Sequence, residues 1–299
     1  MAKKKNIPDS ETVDVVEQRN RIAVVGVSGP GIRHLQTCAR SGFFDSAFDE
    51  QRPVPLLGHN VRLPSALLAN PKAINWLVLS VNRNQQALWL LHAVRYDWSV
   101  LVEPPLPMKP VSSSDKINQA VLDLASNRIQ VSIPALYHPG LTSVSMRNRR
   151  SMTVSVVERR TTSNSDLGWG PFFRAVALAC KLSRWGGFKL PPLTSCITES
   201  TPNGAEMLKR ATWETPFIRI TAEGAYGAKG DDQSIKINGL SLASKIDLYA
   251  IQLDSVLAGA GIAPLSFAIE AQRATHEALL GLTTPSTKET NNVEGSTQQ

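Results

Sequence analysis

The sequence has few cysteines and no long apolar run, and both shortages restrict the class of protein. Its 299 residues include three cysteines, Cys38, Cys180 and Cys196, which lie too far apart in sequence for a metal cluster or a disulfide framework. No apolar run is long enough to cross a bilayer. The early lysines, Lys3 to Lys5, precede no apolar segment of the kind that a secretory signal carries. We therefore expect a cytoplasmic protein with no metal and no membrane contact.

The chain also lacks the sequence signatures of a nucleic-acid-binding protein. The net charge is +7, but no basic stretch interleaved with aromatic residues, zinc-finger spacing or helix-turn-helix pattern accompanies it. We therefore expect no nucleic-acid partner, and the positive charge suits a smaller anion such as a nucleotide phosphate. With 42% hydrophobic and 19% charged residues, the composition is that of a globular protein, and the length suggests two domains.

One stretch, Arg21 to Arg40, combines a short apolar run, a glycine-rich turn and a pattern of helical spacing. Strand, glycine turn and helix in this order form the context in which a dinucleotide-binding fingerprint has meaning. Gly26 would form the tight turn, Gly29 would continue it, and Gly31 would let helix and strand pack closely. The free N–H groups at the start of the helix would then face a pyrophosphate.

Two features of this region weaken the prediction of a common dinucleotide site. The middle glycine of the fingerprint is Ser28, whose side chain would crowd the phosphates, so a glycine turn without a nucleotide is an alternative. The next segments predict a loop over Gly42 to Arg52 and a second strand over Val54 to Leu57. No acidic residue ends that strand, whereas Arg62 follows it. NADP is therefore favoured over NAD, although Arg62 could equally be a solvated surface arginine.

Strands and helices alternate as far as residue 135, which predicts a Rossmann domain over residues 21–135 with a doubly wound parallel sheet. Ligands of such sheets bind beyond the carboxyl ends of the strands. This end of the sheet would gather polar and aromatic residues that each follow a predicted strand: Ser28, Ser80, Asn82, Glu103 and Tyr137.

The pattern changes in the second half. Met152 to Val157 alternates apolar and polar residues, as a strand with one solvated face does. Short strands and apolar helices follow, so residues 136–282 predict an α+β domain built on an open, mostly antiparallel sheet. Residues 1–20 predict a mobile N-terminal arm, and residues 283–299, rich in Thr, Ser, Asn and Gln, predict a disordered tail.

The layout and several segments resemble the Gfo/Idh/MocA family of NAD(P)-dependent oxidoreductases. The glycine turn is similar to the family's turn, including the His34 that follows it, and Leu77 to Asn82 resembles the strand and loop that approach the nicotinamide. The strand Val100 to Leu106 contains Glu103-Pro104-Pro105 where the family has Glu-Lys-Pro, and Asp166 to Gly170 resembles its Asp-x-Gly-x-His segment.

The resemblance implies a Rossmann domain joined to an α+β domain, a small-molecule substrate and NADP or NAD as cofactor. Because the open sheet of relatives is an oligomer interface, it also implies a homo-oligomer. The residues expected to bind the cofactor lie in the turn and in the loops after the later strands: Gly26, Ser28, Gly29, Gly31, Ser80, Asn82, Glu103 and Pro104.

The chain departs from the family where the chemistry takes place. The family's lysine is Pro104, its acid/base histidine is Gly170, and its following aspartate is Phe173. Neither a proline nor a glycine side chain can transfer a proton. The usual dehydrogenation of a sugar alcohol therefore lacks its usual residues.

Other side chains are candidates for these roles. Tyr137 and His138 follow a strand at the same end of the sheet and could protonate a product, or could serve as a packed tyrosine and a turn histidine. Trp169 and Phe172 could line the substrate pocket, or belong to the core.

Two functions are consistent with this sequence. One is an atypical NAD(P)-dependent oxidoreductase that transfers a hydride to or from an imine, a conjugated ring or a sugar derivative. The alternative is a catalytically silent relative that acts as a regulatory, sensor or accessory subunit and binds another protein.

Overall fold

A computed structural model describes residues 20–51, 54–106, 128–144, 150–159, 168–200, 206–227, 233–242 and 245–281. These residues form two six-stranded sheets with helices packed on them. The predicted N-terminal arm, the C-terminal tail and the helix expected after Ser113 lie outside the described residues, and the domain boundary near residue 135 stays a prediction.

The first sheet is parallel throughout and has the strand order β3-β2-β1-β4-β5-β6. Its strands are β1 (Ile22–Val25), β2 (Phe44–Phe48), β3 (Val61–Arg62), β4 (Trp76–Leu79), β5 (Ser99–Val102) and β6 (Ile129–Val131). Its helices are α1 (Pro30–Ser41), α2 (Ser65–Ala69) and α3 (Arg83–Tyr96). The apolar run of β1 is completely buried, as expected of a strand covered on both faces. The doubly wound parallel sheet is confirmed.

The prediction for the second strand was wrong. The segment expected to be a loop contains β2, whereas Leu56 in the expected strand forms only a single bridge, to His59. The polar residues Asp45 and Ser46 interrupt the apolar pattern of β2. A polar residue is accommodated at position 45 because Asp45 forms an ion pair with Arg21 at 2.6 Å. The strand expected at residues 131–133 also begins and ends two residues earlier, at Ile129–Val131.

The second sheet is mixed, with the strand order β12-β11-β7-β10-β9-β8. Its strands are β7 (Ser151–Arg159), β8 (Leu193–Ser200), β9 (Glu206–Glu214), β10 (Arg219–Gly227), β11 (Gln233–Ile237) and β12 (Leu240–Ser241). The pair β7 and β10 is parallel and the other pairs are antiparallel. Its helices are α4 (Pro171–Trp185), α5 (Leu248–Leu257) and α6 (Leu265–Leu280). The expected open, mostly antiparallel sheet is confirmed.

Helix α4 is the buried centre of the second half. Its apolar side chains are buried against β7 and β10. Among the described residues, no helix is both long enough and apolar enough to cross a membrane. A close approach at Gly224 of β10 sets the position of α4: a Cβ there would lie 2.2 Å from both the Cα and the backbone N of Phe172. Only a residue without a side chain leaves room for the first turn of α4.

We predict that Gly224→Ala destabilises the protein by about 2–3 kcal/mol, because the added methyl group forces α4 away from the sheet. The measurement is urea-induced unfolding followed by circular dichroism. Gly281→Ala is the control, since its Cβ would meet Leu193 at an ordinary 3.5 Å. Equal stability of the two variants would contradict this account of α4.

Candidate functional site

The carboxyl ends of four strands lie in register at one edge of the first sheet. Val25, Leu79, Val102 and Val131 pair in sequence across β1, β4, β5 and β6. The residues that follow them therefore lie side by side. Ladder bonds continue one residue further, since the Ser80 N–H donates to Val25 at 2.8 Å and the Glu103 N–H to Leu79 at 2.9 Å. Of the predicted site residues, this edge brings together Gly26, Ser80 and Glu103.

The turn between β1 and α1 can only be made with glycine. Gly26 has a φ of 84°, and a Cβ there would lie 2.1 Å from the carbonyl oxygen of Ser80. A Cβ on Gly31 would lie 2.0 Å from the carbonyl oxygen of Gly26. Gly29 forms the N-cap of α1, whose first turn has no acidic residue and no side-chain cap. The helix itself therefore carries no acidic side chain that would offset the positive end of its dipole.

An open cleft of about 530 Å³ lies against this turn. It is lined by Gly26 and the exposed Ser28 from the turn, by Asp49 from the end of β2, and by Ser80 and Asn82 from the loop after β4. The Asn82 side chain also accepts the Gln85 N–H at 3.1 Å, which fixes the start of α3. Four of the eight predicted cofactor residues thus line one cleft.

Asp49 lies at the end of β2 and was not predicted as a site residue from the sequence. Its carboxylate accepts the backbone N–H of Val27 at 2.9 Å and that of Gln51 at 2.8 Å, and the residue is 7% exposed. An acidic residue at this strand end, about 20 residues after the glycines, is the type that bonds the ribose of NAD. The predicted loop hid this signal, because Asp49 gains its meaning only when Phe44–Phe48 is a strand.

A second carboxylate, that of Glu103, is buried behind the same edge. The His34 Nε2 lies 2.6 Å from Glu103 Oε1, and the Ser132 hydroxyl donates to the same oxygen at 2.6 Å. Burial alone would raise the pKa of Glu103, but the hydrogen bonds from His34 and Ser132 and the charge of Arg174 bring that pKa below its usual value. Glu103 is therefore ionised near neutral pH. The half-buried Pro104 follows it directly.

Part of the charge that stabilises ionised Glu103 comes from the second half of the chain. Arg174 of α4 is ion-paired with Glu158 and donates to the Tyr249 hydroxyl at 3.2 Å. The Tyr249 ring meets the edge of His34 with centroids 5.0 Å apart. Burial would lower the pKa of Arg174, but Glu158 raises it. A continuous set of polar side chains therefore joins the two halves behind the cleft.

The remaining predicted residues are not part of the cleft lining. Tyr137 is 4% exposed and His138 is 5% exposed. Burial raises the pKa of Tyr137, and His138 Nδ1 accepts the Gly140 N–H at 2.9 Å. Phe172 lies in the first turn of α4 and is completely buried. Trp169 is half-buried and lies beside Arg83, whose guanidinium carbon is 6.0 Å from the centre of its ring. Catalytic roles for Tyr137 and His138 stay predictions.

Comparison with known proteins finds similarity in three-dimensional structure to solved proteins. No protein-family model and no curated protein matches the sequence. Among solved structures, the WlbA (WbpB) dehydrogenase from Thermus thermophilus in complex with NAD and UDP-GlcNAcA is 18% identical, with a TM-score of 0.62 over 89% of this chain and 95% of that one.

Two further solved structures are similar over nearly their whole length. The UDP-N-acetylglucosamine 3-dehydrogenase GnnA from Acidithiobacillus ferrooxidans is 15% identical (TM-score 0.61, 87% of this chain and 96% of that one). The 3-ketoreductase KijD10 from Actinomadura kijaniata, in complex with TDP-benzene and NADP, is 12% identical (TM-score 0.60, 88% and 98%).

The fold is therefore that of two-part dehydrogenases with a Rossmann sheet followed by an open mixed sheet. This fold agrees with the one that the resemblance to the Gfo/Idh/MocA family implied.

We predict that Glu103→Gln destabilises the folded protein by about 3 kcal/mol near neutral pH, because a neutral amide loses the charge that faces Arg174 and accepts weaker hydrogen bonds than a carboxylate. The pKa of Glu103 is lower in the folded chain than its ordinary 4.5. The carboxylate therefore contributes stability above that pH, and the contribution is lost as the pH falls through the folded-state pKa.

The difference between wild type and Glu103→Gln should accordingly shrink in acid. Unfolding in urea at pH 7 and pH 3.5 measures it. Ser132→Ala, which removes one donor and leaves the charge, should cost about 1 kcal/mol. A glutamine variant as stable as wild type at pH 7 would show that Glu103 has no such role.

Proposed function

We propose that the protein is an NAD-dependent oxidoreductase that transfers a hydride to or from a small organic substrate. The observation that carries this proposal is the cleft in which the Gly26 turn is bonded through Val27 to Asp49. Helix start, glycine turn and acidic strand end are the three parts by which a Rossmann fold binds a dinucleotide. The likeness to dehydrogenases solved with NAD or NADP supports the same cofactor class.

The residues around the cleft suit each part of such a cofactor. The start of α1, with neither acid nor cap, would take the pyrophosphate. Asp49 would accept a ribose hydroxyl, and Ser80 and Asn82 lie where the nicotinamide half would pass. Ser28 occupies the middle position of the turn and is exposed, so its hydroxyl would meet a phosphate oxygen instead of closing the cleft. The nicotinamide, when bound, supplies the hydride or accepts it.

We further propose NAD in preference to NADP. The reason for favouring NADP disappears, because β2 ends at an acid, and Arg62 is not among the residues that line the cleft. Asp49 and Glu50 both line it, and two neighbouring carboxylates disfavour the 2′-phosphate of NADP electrostatically.

The side chains available for proton transfer point to an unusual substrate. Pro104 and Gly170 carry no titratable group, and Phe173 is 1% exposed. The chain would therefore orient substrate and cofactor more than it would move protons, which suits an imine or a conjugated ring whose own electrons assist hydride transfer. The same residues favour the second candidate, a relative that binds the cofactor without turnover and serves as a sensor or accessory subunit.

We also propose that the open face of the second sheet pairs with a second copy of the chain. The face is polar and half-exposed: Thr212 and Thr221 lie side by side on it with hydroxyls 3.3 Å apart, next to the ion pair of Arg210 and Glu223.

We predict that the protein binds NADH at least tenfold more tightly than NADPH, and that Asp49→Asn removes most of this preference because one repelling charge is gone. Titration of nucleotide fluorescence measures both. Asp45→Asn is the matched control: it removes a carboxylate from the same strand, but Asp45 pairs with Arg21 and does not line the cleft.

If the protein binds neither NADH nor NADPH at near-millimolar concentration, the proposed function is wrong. Binding of NADH without hydride transfer to any imine, conjugated or sugar substrate tested would favour the sensor or accessory subunit.

We predict that Thr221→Arg converts a dimer or larger oligomer into a monomer, because a bulky charge on a face shared by two copies is repeated across the interface. Light scattering coupled to size exclusion measures the mass. Ser266→Arg, on an exposed position of α6, should leave the mass unchanged. A monomeric wild-type protein would refute the pairing.

A further inference from the structure

Arg83 is a cation beside the cleft, outside its lining, and has no acidic partner among the described residues. It is the first residue of α3 and follows directly on Asn82, which lines the cleft. Its side chain is exposed, and its one recorded interaction in the described part of the chain is with the ring of Trp169. By contrast, Arg174 has Glu158 and Arg21 has Asp45.

The direction of Arg83 separates it from the acidic end of the cleft. Gln85, two residues later on the same helix, is hydrogen-bonded to Glu50. Residues two apart on a helix point to nearly opposite sides. Arg83 therefore points away from Asp49 and Glu50 and towards the second half of the chain.

Trp169 meets Arg83 from the other half. It lies in the turn before α4, and its ring packs on Phe173 with centroids 5.8 Å apart, while Phe173 is 1% exposed. The indole is therefore held by the core on one side. Its neighbours Gly168 and Gly170 carry no side chains.

We propose that Arg83 and Trp169 form a substrate clamp that binds an oxyanion, a carboxylate or a phosphate, attached to a flat or cyclic group. A guanidinium pairs with two oxygens of such an anion at once, and an indole face packs against a ring. One jaw comes from each half of the chain, and the pair lies next to the cleft, since Arg83 directly follows the lining residue Asn82. The clamp therefore makes the substrate of the hydride transfer an anion, a class that the proposed function by itself leaves open.

This proposal rests on the proposed function, and the experiment separates the two. Probes are benzoate, phenyl phosphate and the neutral benzyl alcohol, titrated into protein with and without saturating NADH. Binding is followed by the NMR signals of the Arg83 Nε–H and the Trp169 indole N–H, assigned from Arg83→Gln and Trp169→Phe. NADH affinity is measured for every variant.

Both anions should shift the two signals and bind at least tenfold more tightly than benzyl alcohol. Arg83→Gln should weaken both anions about tenfold and leave benzyl alcohol and NADH unchanged. Arg95→Gln is the matched control, since Arg95 lies in the last turn of the same helix and packs on Tyr96 in the same way; it should change nothing. The ratio of benzoate to phenyl phosphate affinity identifies the preferred anion.

The clamp is refuted if Arg83→Gln binds the anions as wild type does. It is also refuted if that variant loses NADH affinity, because Arg83 would then serve the cofactor. Absence of NADH binding by the wild type, with anion binding intact, would overturn the oxidoreductase and leave the anion site standing.

Discussion

The ionised carboxylate of Glu103, buried between the two halves of the chain, is the constraint on which the candidate site depends. A charge removed from water costs several kcal/mol unless hydrogen bonds and an opposite charge compensate it. Here the compensation comes from separate parts of the fold: His34 from α1, Ser132 after β6 and Arg174 from α4. A shift of any of these groups would weaken the compensation, so the buried charge favours one arrangement of the two halves.

This arrangement gives the cleft and its surroundings two sides of different character. Asp49 is bonded to the glycine turn and lines the cleft, whereas Arg83 lies beside the cleft against the ring of Trp169 from the second half. In the function we propose, a carrier with one ribose at Asp49 would place its reactive group towards the second half. The carboxylate and the guanidinium would then orient cofactor and substrate independently.

The sequence was sufficient for the parts of the fold that local pattern determines. The completely apolar β1 and the glycines after it, which a Cβ would block at 2.1 and 2.0 Å, predicted strand, turn and helix correctly. β2 was not predicted, because Asp45 and Ser46 interrupt its apolar pattern. Asp49 was therefore not recognised as the acidic residue at a strand end. The role of Arg174 as a buried cation could not be predicted from the sequence, since it depends on contacts with residues distant in sequence.

The proline at position 104 gains a different meaning from this geometry. The Glu103 carboxylate is hydrogen-bonded to His34 and Ser132, and these bonds fix the start of the loop after β5. The position of the loop therefore does not depend on a contact between one of its side chains and the substrate. In the site we propose, this position would serve as a wall instead of a proton donor. Such a site, with an inert wall, a fixed indole and a guanidinium that has no acidic partner among the described residues, would select its ligand by shape and charge, whether or not a hydride is transferred there.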